Sequence, residues 1–341
     1  MHAVAPMSVG PVSTPLPRTE ASPSGVLDSR ARLAAVADLE LPGHAGDPDL
    51  DAVVETLAAA LQVPIAVVNV VTPGLQTYPA EIGVGAPCTR VPDGVSFCAE
   101  VVETGLPLQV ADARGHPTYG TNPFVQQGMV GSYAGFPLLH RGHVVGAVSV
   151  FDTASRSFDE RELRVLAAQA RVAATLLTLR WTATHDPLTG LANRRRVAER
   201  IAALPAEPVA LLFVDVDDFK GVNDAYGHDH GDALLCELAS LLTAAVEGTG
   251  GLAARWGGDE FLVLLPDTAS AVAEQVAQEL VQAVRQDSRL PCSVTIGLAR
   301  ATGPWRWSAL VAEAGAAAAR GKRLGKDRVA HRVPAARTEA P

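Results

Sequence analysis

The chain has 341 residues, 48% of them hydrophobic and 19% charged, which is enough for two ordinary domains with separate cores. Its formal net charge of −9 excludes a general nucleic-acid binder, because affinity for a phosphate backbone needs clustered Lys and Arg. No apolar run reaches the roughly 20 residues of a membrane-spanning helix, so membrane insertion is not expected. The four cysteines form neither a C-x-x-C pair nor a disulfide framework, which suits a reducing cytoplasm.

Residues 1–25 are rich in Pro, Ser, Val and Ala, lack the basic start and apolar core of a secretory signal, and read as a disordered leader. A first domain is expected over residues 27–157. Residues 48–61 are amphipathic and helical, with Asp47 placed to cap the helix and Pro48 in its first turn. Residues 65–71 read as an apolar strand ended by a Pro73-Gly74 turn, and residues 144–151 as a second strand after the turn-like His140-Arg141-Gly142-His143. The long stretch between these strands reads as irregular.

Residues 158–185 are expected to form a connecting helix. From Phe158 to Trp181 there is no Gly or Pro, and Leu163, Leu166, Ala170, Ala173 and Leu177 recur at spacings of three and four, as in a coiled-coil seam. The pattern serves equally a pairing with a second copy or a single amphipathic helix lying on its own domain.

A second domain is expected over residues 186–331, followed by a tail at 332–341. Residues 209–214 form a buried strand, and Asp215, Asp217 and Asp218 cluster where it emerges. Residues 230–246 carry Leu234, Leu235, Leu238, Leu241 and Leu242 on one helical face, which packs on the sheet. Farther on, two apolar strands flank a turn at Gly257-Gly258 that sets Asp259 and Glu260 on a hairpin. A carboxylate at a strand terminus and another on an adjacent hairpin are how phosphoryl-transfer sites hold magnesium. Asp215 and Asp259 are the ligand pair, with Asp217 a rival on the same face of an extended strand unless the chain bends there. The bland alternative is a set of solvated acids at strand ends.

Two groups of motifs carry family resemblances. Ser96-Phe97-Cys98, Leu106-Pro107-Leu108 with Val110-Ala111-Asp112, and the runs Tyr133 to Leu138, Val145 to Asp152 and Phe158 to Glu162 together resemble a GAF domain. The runs Asp186 to Arg195, Asp215 to Asp224 with Gly227-His228, Gly231-Asp232 and Arg255 to Phe261 resemble a GGDEF domain, the family of diguanylate cyclases. The resemblances imply a two-domain chain of α/β and α+β class. A GAF-like antiparallel sheet flanked by helices is joined by a helix to a ferredoxin-like domain similar to the palm of nucleotidyl cyclases.

The GGDEF resemblance implies an enzyme that condenses two GTP into cyclic di-GMP and two pyrophosphates, with Mg2+ or Mn2+, two per active site, in a homodimer signalled by its GAF domain. It makes Asp215, Asp259 and the backbone carbonyl of Val216 metal ligands, with Glu260 completing the acidic pair and Asp259 or Glu260 assisting deprotonation of the 3′-hydroxyl. Asn223 and Asp232 become guanine readers, against the bland alternatives of turn formation and helix capping. Lys322 becomes a phosphate ligand, Lys326 stands where an arginine is usual, and Lys220 is a third phosphate candidate. The aromatic residue usual before this clamp is replaced by the run Ala316 to Ala319.

Many relatives carry an Arg-x-x-Asp inhibitory site, whose places here are Gly248 and Gly251, so no guanidinium or carboxylate is expected there. The competing reading is a catalytically inactive GGDEF domain that binds GTP or a partner and relays a signal. A photoreceptor built on Cys98 or Cys88 is a further alternative. The GAF ligand is unassigned, with His116, Tyr119 and Tyr133 as pocket candidates.

Overall fold

The computed structural model describes residues 25–39, 46–85, 88–204, 208–301 and 306–331, so the expected tail and all of the expected leader but Gly25 lie outside the described residues. The chain divides into two compact units, with the boundary between Trp181 and Thr182. Among the described residues no helix is long and apolar enough to cross a membrane.

In the first unit, α1 (Arg30–Ala37) precedes α2 (Pro48–Leu61), whose start is capped as expected: the Asp47 carboxylate accepts the N–H groups of Asp49 and Leu50, both at 3.2 Å. Next come β1 (Ile65–Thr72), β2 (Leu75–Ile82), β3 (Cys88–Thr89), α3 (Phe97–Thr104), β4 (Leu108–Val110), α4 (Pro123–Gln126), β5 (Ser132–His140) and β6 (His143–Asp152). The strands form one sheet in the order β3-β2-β1-β6-β5-β4, paired antiparallel throughout. β1 is apolar but for the buried Asn69 and its terminal Thr72 because both its faces are covered. Ala66 and Val68 join the core built on α2, while Val71 joins the one built on α3.

The stretch expected to be irregular is corrected: it holds β2 to β5 and two helices. The helices are short, and their starts are marked by side-chain caps rather than periodicity. Ser96 Oγ accepts the Ala99 N–H at 3.1 Å, and Asn122 Oδ1 accepts the Phe124 N–H at 2.9 Å.

The long helix is α5 (Glu160–Thr184). Leu163, Leu166, Ala170, Ala173 and Leu177 are all buried in the core of the first unit. This settles the two uses of that seam: it packs on its own domain, and it is not the face that could pair with a second copy. A second series, Ala168, Val172, Thr175 and Leu179, also steps by three and four on the opposite side of the helix, and its Val172 and Leu179 are 45% and 60% exposed. Arg180 clasps the start of α2, donating to Asp47 Oδ1 at 2.8 Å.

The second unit contains α6 (Arg194–Ala202), β7 (Val209–Val216), α7 (Phe219–Tyr226), α8 (His228–Val246), β8 (Leu252–Gly257), β9 (Glu260–Pro266), α9 (Ser270–Gln286), β10 (Val294–Ala301), α10 (Trp307–Arg323) and β11 (Arg328–His331). The sheet order is β11-β10-β7-β9-β8, antiparallel except for the β10–β11 pair. β7 is the central strand and is buried on both faces. Ala210, Leu212 and Val214 pack with α8 and α9, and Leu211 and Phe213 with α6 and α10. The alanine-rich run of α10 has a packing cause: Ala314 and Ala318 lie on β10 at Gly297, where any Cβ would fall 2.0 Å from the Ala314 carbonyl oxygen.

Candidate active site

β7 runs two residues farther than expected, so Asp215 and Val216 are its last residues rather than the loop beyond it. Strand register places Asp215 directly opposite Glu260 on β9, and the Val216 N–H donates to the Asp259 carbonyl at 3.2 Å. The hairpin reverses at Gly258-Asp259, one residue later than expected, with Gly257 paired to Glu260 across the turn. Gly258 takes a φ of +57°. Asp215, Val216, Asp259 and Glu260 are thereby gathered at the ends of two neighbouring strands.

Burial, aided by the charges of Asp259 and Asp217, raises the Asp215 carboxyl above its ordinary range, against the pull of Lys322. Burial and the charges of Asp215 and Asp259 raise the Glu260 carboxyl as well, against Arg194 and Lys322. These shifts come first from burial and second from the crowding of negative charge. Lys322, in the last turn of α10, meets part of it by ion-pairing with Asp215, and Lys326 pairs with the exposed Asp218 at 2.6 Å. Two carboxylates and a backbone carbonyl are hard oxygen donors that fit a divalent cation of the magnesium type. Among the described residues no three His, Cys, Asp or Glu side chains converge as a ready-made metal cage. A cation in this site would therefore complete its shell from substrate oxygens and water.

Asp217 is not a metal ligand, because the chain bends after β7 and the side chain turns inward. It is 4% exposed and bonded to Ser293 Oγ at 2.7 Å and Thr295 Oγ1 at 2.8 Å. Asp218 then adopts a left-handed φ of 56° and begins α7, whose first turn has no side-chain cap. The N–H groups of that turn are available to an anion, and Lys220 stands exposed beside them.

Asn223 lies within α7 rather than in a turn, and its buried Oδ1 has no hydrogen-bond partner among the described residues. That oxygen sits where Gly231 leaves room, since a Cβ there would be 1.9 Å away. Asp232 follows Gly231, is exposed, and comes too late in α8 to cap it, so capping is set aside.

The first turn of the domain holds the hairpin from behind. Arg255 donates to the Gly258 carbonyl through Nε at 3.0 Å and Nη2 at 2.9 Å, and to Asp186 Oδ1 through Nη1 at 3.0 Å. Burial would raise the Asp186 carboxyl, but Thr189 and Arg255 together hold it below its usual range. Both residues stood in the quoted motifs; what no local pattern announced is that they touch, 69 residues apart.

At the place expected for an inhibitory site, residues 248 and 251 are glycines, but the expectation that no guanidinium is available is corrected. Arg200 of α6 donates to the Gly250 carbonyl at 3.2 Å. In the first unit, Tyr119 and Tyr133 are fully buried and stack on Phe97 at 4.2 and 4.8 Å, so they belong to the core. His116 packs on Tyr119 at 4.6 Å. Cys98 is buried beside Tyr133 and Ser149, and burial pushes its thiol up, which leaves it unreactive rather than poised to hold a chromophore. The side chain of Cys88 lies outside the described residues.

Fold and site define a two-domain protein whose second unit is an α+β domain with an acidic cluster at the ends of two neighbouring strands. Residues 183–328 match the family described as diguanylate cyclase, GGDEF domain, and residues 48–177 match the GAF domain family, so the chain is a GAF domain followed by a GGDEF domain. Among curated relatives it is similar to the response regulator PleD of Caulobacter vibrioides, 37% identical over 161 residues, covering 41% of this chain and 34% of the relative. An uncharacterised protein of Mycobacterium tuberculosis is 34% identical over 265 residues, 71% of this chain and 40% of the relative. The diguanylate cyclase DgcM of Escherichia coli is 37% identical over 164 residues, 44% of this chain and 39% of the relative. The chain thus spans 34% to 40% of the length of these relatives.

Proposed function

We propose that the chain is a diguanylate cyclase, condensing two GTP into cyclic di-GMP with release of two pyrophosphates. The observation that carries this is the register that sets Asp215 opposite Glu260 and ties Val216 to Asp259, in a domain of the GGDEF family. A divalent cation, Mg2+ or Mn2+ and two per site on the family pattern, would be held by Asp215, Asp259 and the Val216 carbonyl, and would supply polarisation of the 3′-hydroxyl and neutralisation of phosphate charge.

The remaining work falls to the chain's own residues. Glu260, with its raised carboxyl, is suited to take the hydroxyl proton. The unpartnered Oδ1 of Asn223 accepts from a guanine N–H, and the Asp232 carboxylate accepts from the remaining donors of that edge. Adenine lacks that pair of donors, so ATP would leave the acceptors unsatisfied. Lys322 and Lys326 exchange Asp215 and Asp218 for phosphate oxygens, while Lys220 and the first turn of α7 hold the distal phosphates.

Each domain holds one GTP, so bond formation needs two copies facing each other. The outward Val172 and Leu179 of α5, seven residues apart and both exposed, support a homodimer. The GAF domain would bias that pairing in response to a signal of unassigned chemistry, inside the cytoplasm. The test is incubation of purified chain with GTP and Mg2+ and chromatography for cyclic di-GMP, with Asp259→Ala as the control.

A further inference from the structure

We propose that Asp217 is a positioning residue that fixes the phosphate clamp by joining three strand ends at one buried carboxylate. It stands immediately after β7. Its Oδ2 accepts from Ser293 Oγ at 2.7 Å and from the Asp327 N–H at 3.0 Å, and its Oδ1 accepts from Thr295 Oγ1 at 2.8 Å. Its own N–H donates to the Ser293 carbonyl at 2.9 Å. Ser293 precedes β10, Thr295 lies in it, and Asp327 is the residue before β11. One side chain therefore ties the strand that carries Asp215 to the segment that carries Lys322 and Lys326.

That segment needs an external restraint. Between α10 and β11 the chain passes through Gly325, Lys326 and Asp327 with φ values of +114°, +59° and +50°. Lysine and aspartate pay for left-handed backbone, and such a conformation persists only where surrounding bonds over-determine it. Within the turn the Lys326 N–H bonds the Gly321 carbonyl at 3.1 Å and Arg328 Nε donates to the Lys326 carbonyl at 2.9 Å, while the half-buried bond from the Asp327 N–H to Asp217 ties the turn to the end of β7. Arg285 adds an exposed one on the Asp327 carboxylate at 2.8 Å, which solvent weakens. Losing Asp217 frees the turn to relax toward ordinary backbone angles, and Lys326, at its centre, swings with it. Lys322 keeps its place, because α10 is closed by its own backbone bonds from the Leu324 and Lys326 N–H groups to the Arg320 and Gly321 carbonyls.

The inference rests on the nucleotide-binding reading above, and its test separates the two. In the full chain without nucleotide, hydrogen exchange at the Asp327 amide is expected to quicken about tenfold or more in Asp217→Ala and to stay near wild type in Asp217→Asn, whose Oδ1 still accepts that N–H. Steady-state kinetics with GTP should show a KM raised about tenfold in Asp217→Ala with a smaller change in kcat, restored to within about threefold by Asp217→Asn. If Asp217→Ala does not fold, Ser293→Ala removes one donor to the same carboxylate and carries the same test with a smaller KM increase. Unchanged exchange at Asp327 overturns the positioning role whatever the activity of the chain. Quickened exchange with an unchanged KM overturns the link to the clamp, whereas a wild-type chain that never binds GTP defeats the nucleotide reading alone.

Discussion

The two faces of α5 make opposite predictions, and substitution can tell them apart. Val172 and Leu179 are 45% and 60% exposed, so about half of each side chain remains to be buried by a partner. Full burial of such a side chain contributes about 1.5–3 kcal/mol, so the remaining half is on the order of 1 kcal/mol each, and four such side chains in a two-fold pair give about 4 kcal/mol. Replacing both with Glu in the full chain should therefore weaken association by on the order of a thousandfold, as read by sedimentation velocity across a dilution series. At dilutions where wild type is itself dissociated, the midpoint of thermal melting should move little, because both residues face solvent in the single chain.

Leu166 is 0% exposed, and Leu166→Ala should instead cost about 2–5 kcal/mol of fold stability without altering association measured below its melting temperature. A double-Glu variant that still associates like wild type would refute the reasoning. So would a Leu166→Ala chain that stays fully folded but dissociates.

Further outcomes follow from the acidic site and from residues 248–251. The Asp215 carboxyl is raised by burial and its neighbours, so its ionisation opposes folding. That penalty is absent below the ordinary carboxylate pKa, grows as pH climbs to the raised value, and is fully present above it. Asp215→Asn should accordingly raise the melting temperature of the metal-free and nucleotide-free protein at pH 8, with the advantage vanishing toward pH 3, and an advantage constant across pH would contradict the assignment. Product should not inhibit through the segment from Gly248 to Gly251, because neither flanking position carries an ionic side chain and Arg200 is engaged with the Gly250 carbonyl. Calorimetric titration showing tight cyclic di-GMP binding that is lost on substitution of Arg200 would defeat that prediction.

Local signals in the sequence were enough for the elements whose chemistry is local. The Asp47-Pro48 start of α2, the apolar run of β7 and the leucine face of α8 each carry their own cap or periodicity, and each forms where that pattern places it. The acidic site was legible for the same reason: its residues sit at strand ends and at a glycine turn. The face used by α5 was not legible, because both of its sides repeat at three and four, and only packing against α2 and the sheet decides which side is buried. The role of Asp217 was hidden as well. Whether it shares a face with Asp215 depends on a bend stabilised by Ser293, Thr295 and Asp327, residues 76 to 110 positions away. Tyr119 and Tyr133 look like pocket residues in a loop-rich stretch, and only the stacking on Phe97 shows them to be core.

The central claim is tested most directly by supplying the purified chain with GTP and Mg2+ and separating the products by chromatography. Cyclic di-GMP and two equivalents of pyrophosphate should accumulate with wild type and not with Asp259→Ala. GTP that binds with Mg2+ yet is recovered unchanged, from a folded and associated wild-type chain, would contradict the assignment of Asp215, Asp259 and Glu260 as a working catalytic site.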